Sequence, residues 1–286
     1  MSGEKVTMVT HTEFSKPIQI FDLDGTLTIE FDPDEGDRTG EGLDTYSYWH
    51  RITRKLAHDP DAFDAREKAW LEMVMATEGI DMIASLIERT NAEIAMFDES
   101  DKSDEAIRRQ AALITREFLD RGIVEFDAIR YLEFQLRAGV SCAISTGGDE
   151  SGAAGFVDGL VNCGLLPGDL AREILVSGTR INWNETIVEH MNVGPLKLRG
   201  LELAFQKPID DIQKRTHAVF GNDPERGDRA ILDGFCQHSF VKRTIKNGEA
   251  VLPPNCVFFS SWVEIYDYRD RICDLHARLI DAKKLR

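Results

Sequence analysis

The chain has 286 residues, 42% of them hydrophobic, with 50 acidic against 34 basic residues and a formal net charge of −16. That is enough apolar material for one large or two modest packed domains, which excludes a disordered acidic tail. The charge weighs against nucleic acid and anionic membrane as partners, because both are held chiefly through Lys and Arg, and it draws in metal cations; an anionic substrate must be small or be met by a local positive site.

The opening MSGEKVTMVTHTEFSKP lacks the apolar stretch of a signal peptide, and no segment approaches the length of a membrane span. The five cysteines, Cys142, Cys163, Cys236, Cys256 and Cys273, show no C-x-x-C spacing, so they read as free thiols rather than a zinc or disulfide framework. A soluble, cytoplasmic protein is the expectation.

In chain order, Ile18–Phe21 is a short apolar strand running into Asp22-Leu23-Asp24-Gly25-Thr26. Glu30 to Gly42 is acidic and Gly-rich, as in a solvated loop or hinge. Ile80, Ile83, Ile87 and Ile94 fall at helical spacing, and so do Ile107, Ala111, Ile114 and Phe118 behind Ser103 as N-cap. No strand-like alternation interrupts residues 44–122, so this block is expected to be an all-helical unit. Phe126, Ile129, Leu132 and Leu136 make a further helical face, followed by a buried strand at Val140–Ile144. A helix near 195–206, a strand at His217–Phe220 and a helix from Asp228 continue the alternation, which implies a parallel sheet with helices on both faces. VFFSS at 257–261 reads as a late strand and the tail from Glu264 as helical. Such sheets bind ligands at the carboxyl ends of their strands.

The most informative segment is FDLDGTLT, residues 21–28. Two carboxylates at i and i+2 directly after a strand stand at the rim of a sheet beside a tight turn. Asp22 can act as a nucleophile towards phosphorus, and Asp24 can give a proton to a leaving oxygen and take one from water. A helix–loop–helix calcium loop is excluded, since the closing Glu it needs near position 33 is Pro33.

This Asp-x-Asp-Gly-Thr resembles the first motif of the haloacid-dehalogenase-like superfamily of phosphatases, and candidates for the other three motifs follow in order. CAISTGGDESG, 142–152, is similar to the second motif of its phosphoserine-phosphatase branch, with Thr146, or Ser145 in its place, and Gly147 as phosphate ligands. Lys197, after Gly194-Pro195, stands where the third-motif lysine is expected, with Lys207 as the competitor. The fourth motif, Gly-Asp-x-x-x-Asp, is altered to Gly221-Asn222-Asp223-Pro224-Glu225-Arg226-Gly227-Asp228. Either Asp223, the favoured reading, or Asn222 is then the metal ligand, with Asp228 orienting the shell.

The resemblance implies an α/β fold: a Rossmann-like parallel sheet core built from residues 1–29 and 123–286, with an inserted helical cap at 30–122. It implies a Mg2+-dependent phosphomonoesterase in which Asp22, the Asp24 carbonyl and Asp223 or Asn222 hold the ion, Thr146 and Lys197 hold the phosphate, and Asp22 is transiently phosphorylated. Glu30, Arg51 and Arg54 lie near the hinge, where solvated charges are common, and Trp49 and Trp70 are expected in the core. A phosphate-binding protein without turnover, and a phosphotransferase or phosphomutase, remain alternatives on the same fold.

Overall fold

The computed structural model of the chain describes residues 16–29, 48–77, 79–244 and 247–284; the expected loop at Glu30–Gly42 lies outside them. Strand β1 (Ile18–Phe21) is buried at every position, as its uninterrupted apolar side chains require of a central strand. It lies within a seven-stranded sheet with β2 (Ser141–Asp149), β3 (Leu175–Asn182), β4 (Ile187–His190), β5 (Thr216–Gly221), β6 (Ser239–Lys242) and β7 (Cys256–Phe259). The order is β4-β3-β2-β1-β5-β6-β7, parallel except for β4. Phe21 is in register with Ile144 of β2 and with Phe220 of β5, so the strand order reverses at β1. That reversal opens the crevice in which doubly wound sheets hold ligands.

Three register partners, Phe21, Phe220 and Phe240, stack face to face across adjacent strands at 5.0 and 5.1 Å between ring centroids. The spacing is close to that between paired strands, so the aromatic column follows directly from the register. The buried Trp262 covers it, and its indole N–H donates to the Thr26 carbonyl at 2.8 Å. The core is thereby tied to the loop after β1.

The helices are α1 (Tyr48–Leu56), α2 (Pro60–Ala76), α3 (Met82–Ile94), α4 (Asp104–Asp120), α5 (Phe126–Arg137), α6 (Glu150–Asn162), α7 (Gly168–Ala171), α8 (Leu196–Phe205), α9 (Ile209–Arg215), α10 (Arg229–Leu232), α11 (Trp262–Asp267) and α12 (Ile272–Lys284). Ser103 caps α4 as its position predicts, accepting from the Ala106 N–H. None of the described helices is long and apolar enough to cross a membrane.

Two local expectations are corrected, and two elements come without one. The second strand runs on to Asp149, because Thr179 and Asn192 hold the polar Thr146–Gly147 backbone against β3. The polar stretch 178–192, between the second-motif and third-motif candidates, forms much of the β3–β4 pair, whose exposed edge tolerates polar side chains. The helix from Asp228 is a single turn, α10. Strand β6 had no expectation, since its four residues are too few for a periodic signal.

Helix α4 lies directly against α6 along a glycine face. A Cβ on Gly155 would sit 2.5 Å from the Ala111 Cβ, and one on Gly159 would sit 2.7 Å from the Thr115 hydroxyl. Ile107, Ala111, Ile114 and Phe118 of α4 join the same apolar cluster as Phe21 and Phe156, so α4 shares the core of the sheet. Asp149 caps α6, accepting from the Ser151 and Gly152 N–H groups at 2.8 and 3.1 Å. Burial raises its carboxyl to about 7, the Gly152 N–H opposes that rise, and Asp104 adds to it.

Two predictions follow from α6. Gly155→Ala should destabilise the chain by about 1–3 kcal/mol through overpacking, although helix propensity alone favours alanine by about 0.5–1 kcal/mol. Chemical denaturation reads the sign, and a gain in stability would refute the close approach. Asp149 holds its proton in the folded chain up to about pH 7 but ionises near 3.8 when unfolded. Its contribution is therefore complete at low pH and is lost as pH rises towards 7. Asp149→Asn, which keeps an acceptor for the cap, should flatten the fall in stability between about pH 4 and pH 7 in urea titrations.

Candidate active site

The chain turns sharply after β1. Gly25 adopts φ +71°, its N–H donates to the Thr28 hydroxyl, and that hydroxyl bonds the Leu23 carbonyl, both at 3.3 Å. This turn leaves Asp22 at the carboxyl end of β1, only 5% exposed, while Asp24 is partly exposed. The Asp22 N–H continues the ladder to the Phe220 carbonyl at 2.8 Å, which fixes the residue relative to β5.

Lys197, in the first turn of α8, reaches into this position and is 2% exposed. Its ammonium donates to Asp22 Oδ1 at 2.8 Å, to Asp228 Oδ1 at 2.5 Å and to the Ser145 carbonyl at 3.1 Å. Burial opposes its charge, but Asp22 and Asp228 outweigh burial and hold the lysine protonated above its ordinary range. The Asp22 carboxyl is raised, first by burial and then by Asp228, with Lys197 only partly compensating. Two buried carboxylates thus share one ammonium, and the site is short of positive charge.

Asp228 also accepts from the Asn222 and Asp223 N–H groups at 3.0 and 3.1 Å through Oδ2. A Cβ on Gly221 would lie 2.7 Å from that oxygen, so the turn needs glycine there. Asp223, the favoured metal ligand from sequence, uses its carboxylate within its own loop, accepting from Arg226 N–H at 3.1 Å and Gly227 N–H at 2.8 Å. The extra residues between the two acids let Asp223 cap the turn it stands in, and the same residue lines the cavity in front of Asp22. Nor do the acids close into a cluster of carboxylates. Among the described residues, no three of Asp22, Asp24, Asp223 and Asp228 bring ligand oxygens within 4.8 Å of one another.

At the end of β2, the Thr146 hydroxyl accepts from the Gly148 N–H at 3.1 Å, and Gly147 lines the cavity in front of Asp22. The Ser145 hydroxyl is fully buried and faces Asn192 at 3.5 Å; its carbonyl, rather than its hydroxyl, meets the site. Asn192, missed from sequence, is itself completely buried and donates to the Thr146 and Ser177 carbonyls at 2.7 and 3.0 Å. Asn247, also missed, donates to the Asn222 and Lys242 carbonyls at 2.7 Å each, holding the loop after β5. Both are lone amides in polar stretches, and nothing in their sequence neighbourhood marks them.

These groups surround a cavity of about 470 Å³, lined by Asp22, Asp24, Gly147, Lys197, Asn222 and Asp228 among others. A smaller one of about 210 Å³ adjoins it under α1 and α3, lined by Asp24, Trp49, Arg89, Thr90, Glu93 and Gly147. Trp49, expected in the core, is on this wall and donates to Glu93 at 3.2 Å. Arg89 pairs with both Glu67 and Glu93; burial raises Glu93 to about 7 against the pull of Arg89. The hinge-side arginines face elsewhere, Arg51 to Glu117 at 2.6 Å and Arg54 to Asp64 at 3.0 Å. Asp24 spans the two cavities, and its Oδ1 accepts from the first N–H of α1, that of Tyr48, at 2.5 Å.

The larger cavity is lined by the carboxylate residues Asp22, Asp24, Asp223 and Asp228 and by Asn222, all bearers of oxygen ligands. With the shortage of positive charge they fit a hard divalent cation, which takes one or two carboxylates and keeps several waters.

No family model matches the sequence, and no curated protein matches it. Among solved structures, cytosolic 5'-nucleotidase IIIB bound to cytidine is similar at a TM-score of 0.52 and 13% identity, covering 93% of this chain and 88% of that one. A phosphoserine phosphatase from T. onnurineus in complex with NDSB-201 aligns at a TM-score of 0.47 and 14% identity, over 92% of this chain and 98% of its own. With the strand order, the reversal at β1 and the helices inserted after it, the chain has the haloacid-dehalogenase-like α/β fold that its motifs resemble.

Proposed function

We propose that the chain is a Mg2+-dependent phosphomonoesterase for a small phosphorylated molecule. One observation carries this: Lys197 bridges Asp22, Asp228 and the Ser145 carbonyl, so the ends of β1, β2 and β5 meet at one buried cation. The arrangement suits phosphoryl transfer, which depends on positioning and on charge at the transferring oxygens.

In this reading Asp22 Oδ attacks phosphorus in line. Lys197 and the Thr146–Gly147 turn hold the equatorial oxygens. Asp24 gives its proton to the leaving alcohol as the P–O bond breaks, and then takes a proton from the water that cleaves the aspartyl phosphate. Asp22, the Asp24 carbonyl and Asn222 would hold the magnesium, which supplies charge neutralisation between carboxylate and phosphate. Asn222 replaces Asp223 in that set because the Asp223 carboxylate is engaged with Arg226 and Gly227. Asp228 anchors the loop and the lysine. The cavity beneath Trp49 and Arg89 takes the leaving group, and the helices within 30–122 serve as its cap, which limits the substrate to a small molecule. The absence of a membrane-crossing helix among the described residues is compatible with a cytoplasmic location.

Asp22→Asn should abolish magnesium-dependent hydrolysis of para-nitrophenyl phosphate, and Asp24→Asn should lower kcat by about 10²–10⁴-fold. Unchanged turnover in Asp22→Asn would remove the proposal. A second reading, phosphate binding without turnover, draws on the uncharged Asn222. Asn222→Asp should lower the magnesium concentration for half-maximal activity by roughly tenfold, since ligand charge sets affinity in such sites. If the unaltered chain and this variant both bind phosphate and neither turns over substrate, the second reading holds.

A further inference from the structure

The opposite end of the sheet carries a different set of donors. His217 is the second residue of β5, His238 directly precedes β6, and Cys273 lies in the first turn of α12. Their ligand atoms all lie within 4.8 Å of one another, the one such group among the described residues. Cys273 Sγ is 3.5 Å from His217 Nε2. In a tetrahedral zinc site with Zn–N of about 2.0–2.1 Å and Zn–S of about 2.3 Å, neighbouring ligand atoms stand roughly 3.3–3.6 Å apart. The Cys273–His217 separation is already an edge of such a tetrahedron, and a small rotation of His238 closes the others.

A second, independent observation points to a ligand. His238 Nδ1 is buried and has no hydrogen-bond partner, a costly state for a ring nitrogen unless something occupies its lone pair or takes its proton. The neighbouring ring supplies what surrounds many metal sites. His276 packs edge-on against His238 at 4.9 Å between centroids, and its Nε2 lies 2.9 Å from the Asn255 carbonyl. A carbonyl can only accept, so that nitrogen is the donor and Nδ1 keeps its lone pair, the outer-shell arrangement that orients metal-binding imidazoles.

We infer that His217, His238 and Cys273 form a second metal site, for zinc or a similar thiophilic divalent ion, with the fourth position filled by water or by His276. The donor set separates it from the phosphate end of the sheet. Nitrogen and sulfur ligands select zinc, whereas the oxygen-only cavity at Asp22 suits magnesium. Strand β5 connects the two, with His217 at one end and Asn222 beyond the other, about 17 Å apart at the usual rise per residue. The ion would clip α12 to the amino ends of β5 and β6 and have no part in the phosphoryl chemistry.

The test uses the full chain, stripped with a chelator and titrated with Co2+ and then Zn2+. A thiolate-to-cobalt charge-transfer absorption should grow to saturation near one equivalent, persist in excess Mg2+ and disappear on adding Zn2+. Zn2+ should also raise the thermal midpoint. Cys273→Ser should remove the absorption, and His217→Gln should weaken Zn2+ binding by roughly a hundredfold or more. Should either variant fail to fold, protection of Cys273 from alkylation by Zn2+ in the unaltered chain, read by peptide mass, decides the matter. The inference is overturned by absence of the absorption in the unaltered chain, by its survival in Cys273→Ser, or by alkylation of Cys273 at the same rate with and without Zn2+.

Discussion

Two carboxylates that share one ammonium organise the carboxyl end of this sheet. Burying three charged groups costs several kcal/mol each, and the cost is recovered only when the geometry is close and the remaining hydrogen bonds are met. Lys197 satisfies that condition with three partners drawn from three strand ends: Asp22, the Ser145 carbonyl and Asp228. Asp228 in turn takes two backbone N–H groups of the loop after β5. Removing Lys197 leaves two buried carboxylates uncompensated, and removing Asp228 leaves two loop N–H groups without their acceptor, so β1, β2 and the loop after β5 are mutually dependent in position. The chemistry proposed for Asp22 rests on that dependence, since a nucleophile must be held in place without being neutralised.

The outer layer is built from amides rather than charges. Asn192 fixes the β2 end through two carbonyls, and Asn247 fixes the loop holding Asn222. Amides can donate to carbonyls in a dry interior at much lower desolvation cost than charges, which suits groups that position others. The result is a charged centre within a neutral frame, opening on one side to the smaller cavity under Trp49 and Arg89.

Much of this was legible in the sequence because its signals are local. The strand before Asp22, the glycine turn after it, the Ser103 cap of α4 and the lysine behind Gly194-Pro195 each leave a pattern within a few residues. The parts that were not legible depend on partners far away in the chain. Asn192 meets Thr146 across 46 positions and Asn247 meets Asn222 across 25, and no spacing rule connects such pairs. The choice between Asp223 and Asn222 stays open in the sequence for a related reason: a carboxylate beside a glycine turn looks the same whether it faces an ion or caps its own loop. The β3–β4 pair was hidden by its edge position, where exposed polar side chains imitate a connecting segment.

The glycine face of α6 bears on how the cavities are reached. Because α4 is seated against it backbone to side chain, and the Tyr48 hydroxyl ties α1 to the Ala111 carbonyl and to Thr115 at 2.6 Å, these two helices are fastened to the core. Helices α2 and α3 have no glycine interlock of this kind. Helix α3 is held to β4 by Asn91, which accepts from the Val188 N–H at 2.7 Å, to α1 by the Trp49–Glu93 bond at 3.2 Å, and to the core by the buried Ile94. The wall of the smaller cavity is therefore of two kinds: α1 and α4 are locked to the core by close backbone approach, whereas Arg89 and Glu93 of α3 are presented by side-chain bonds alone, which makes that side the more readily reshaped around a bound molecule.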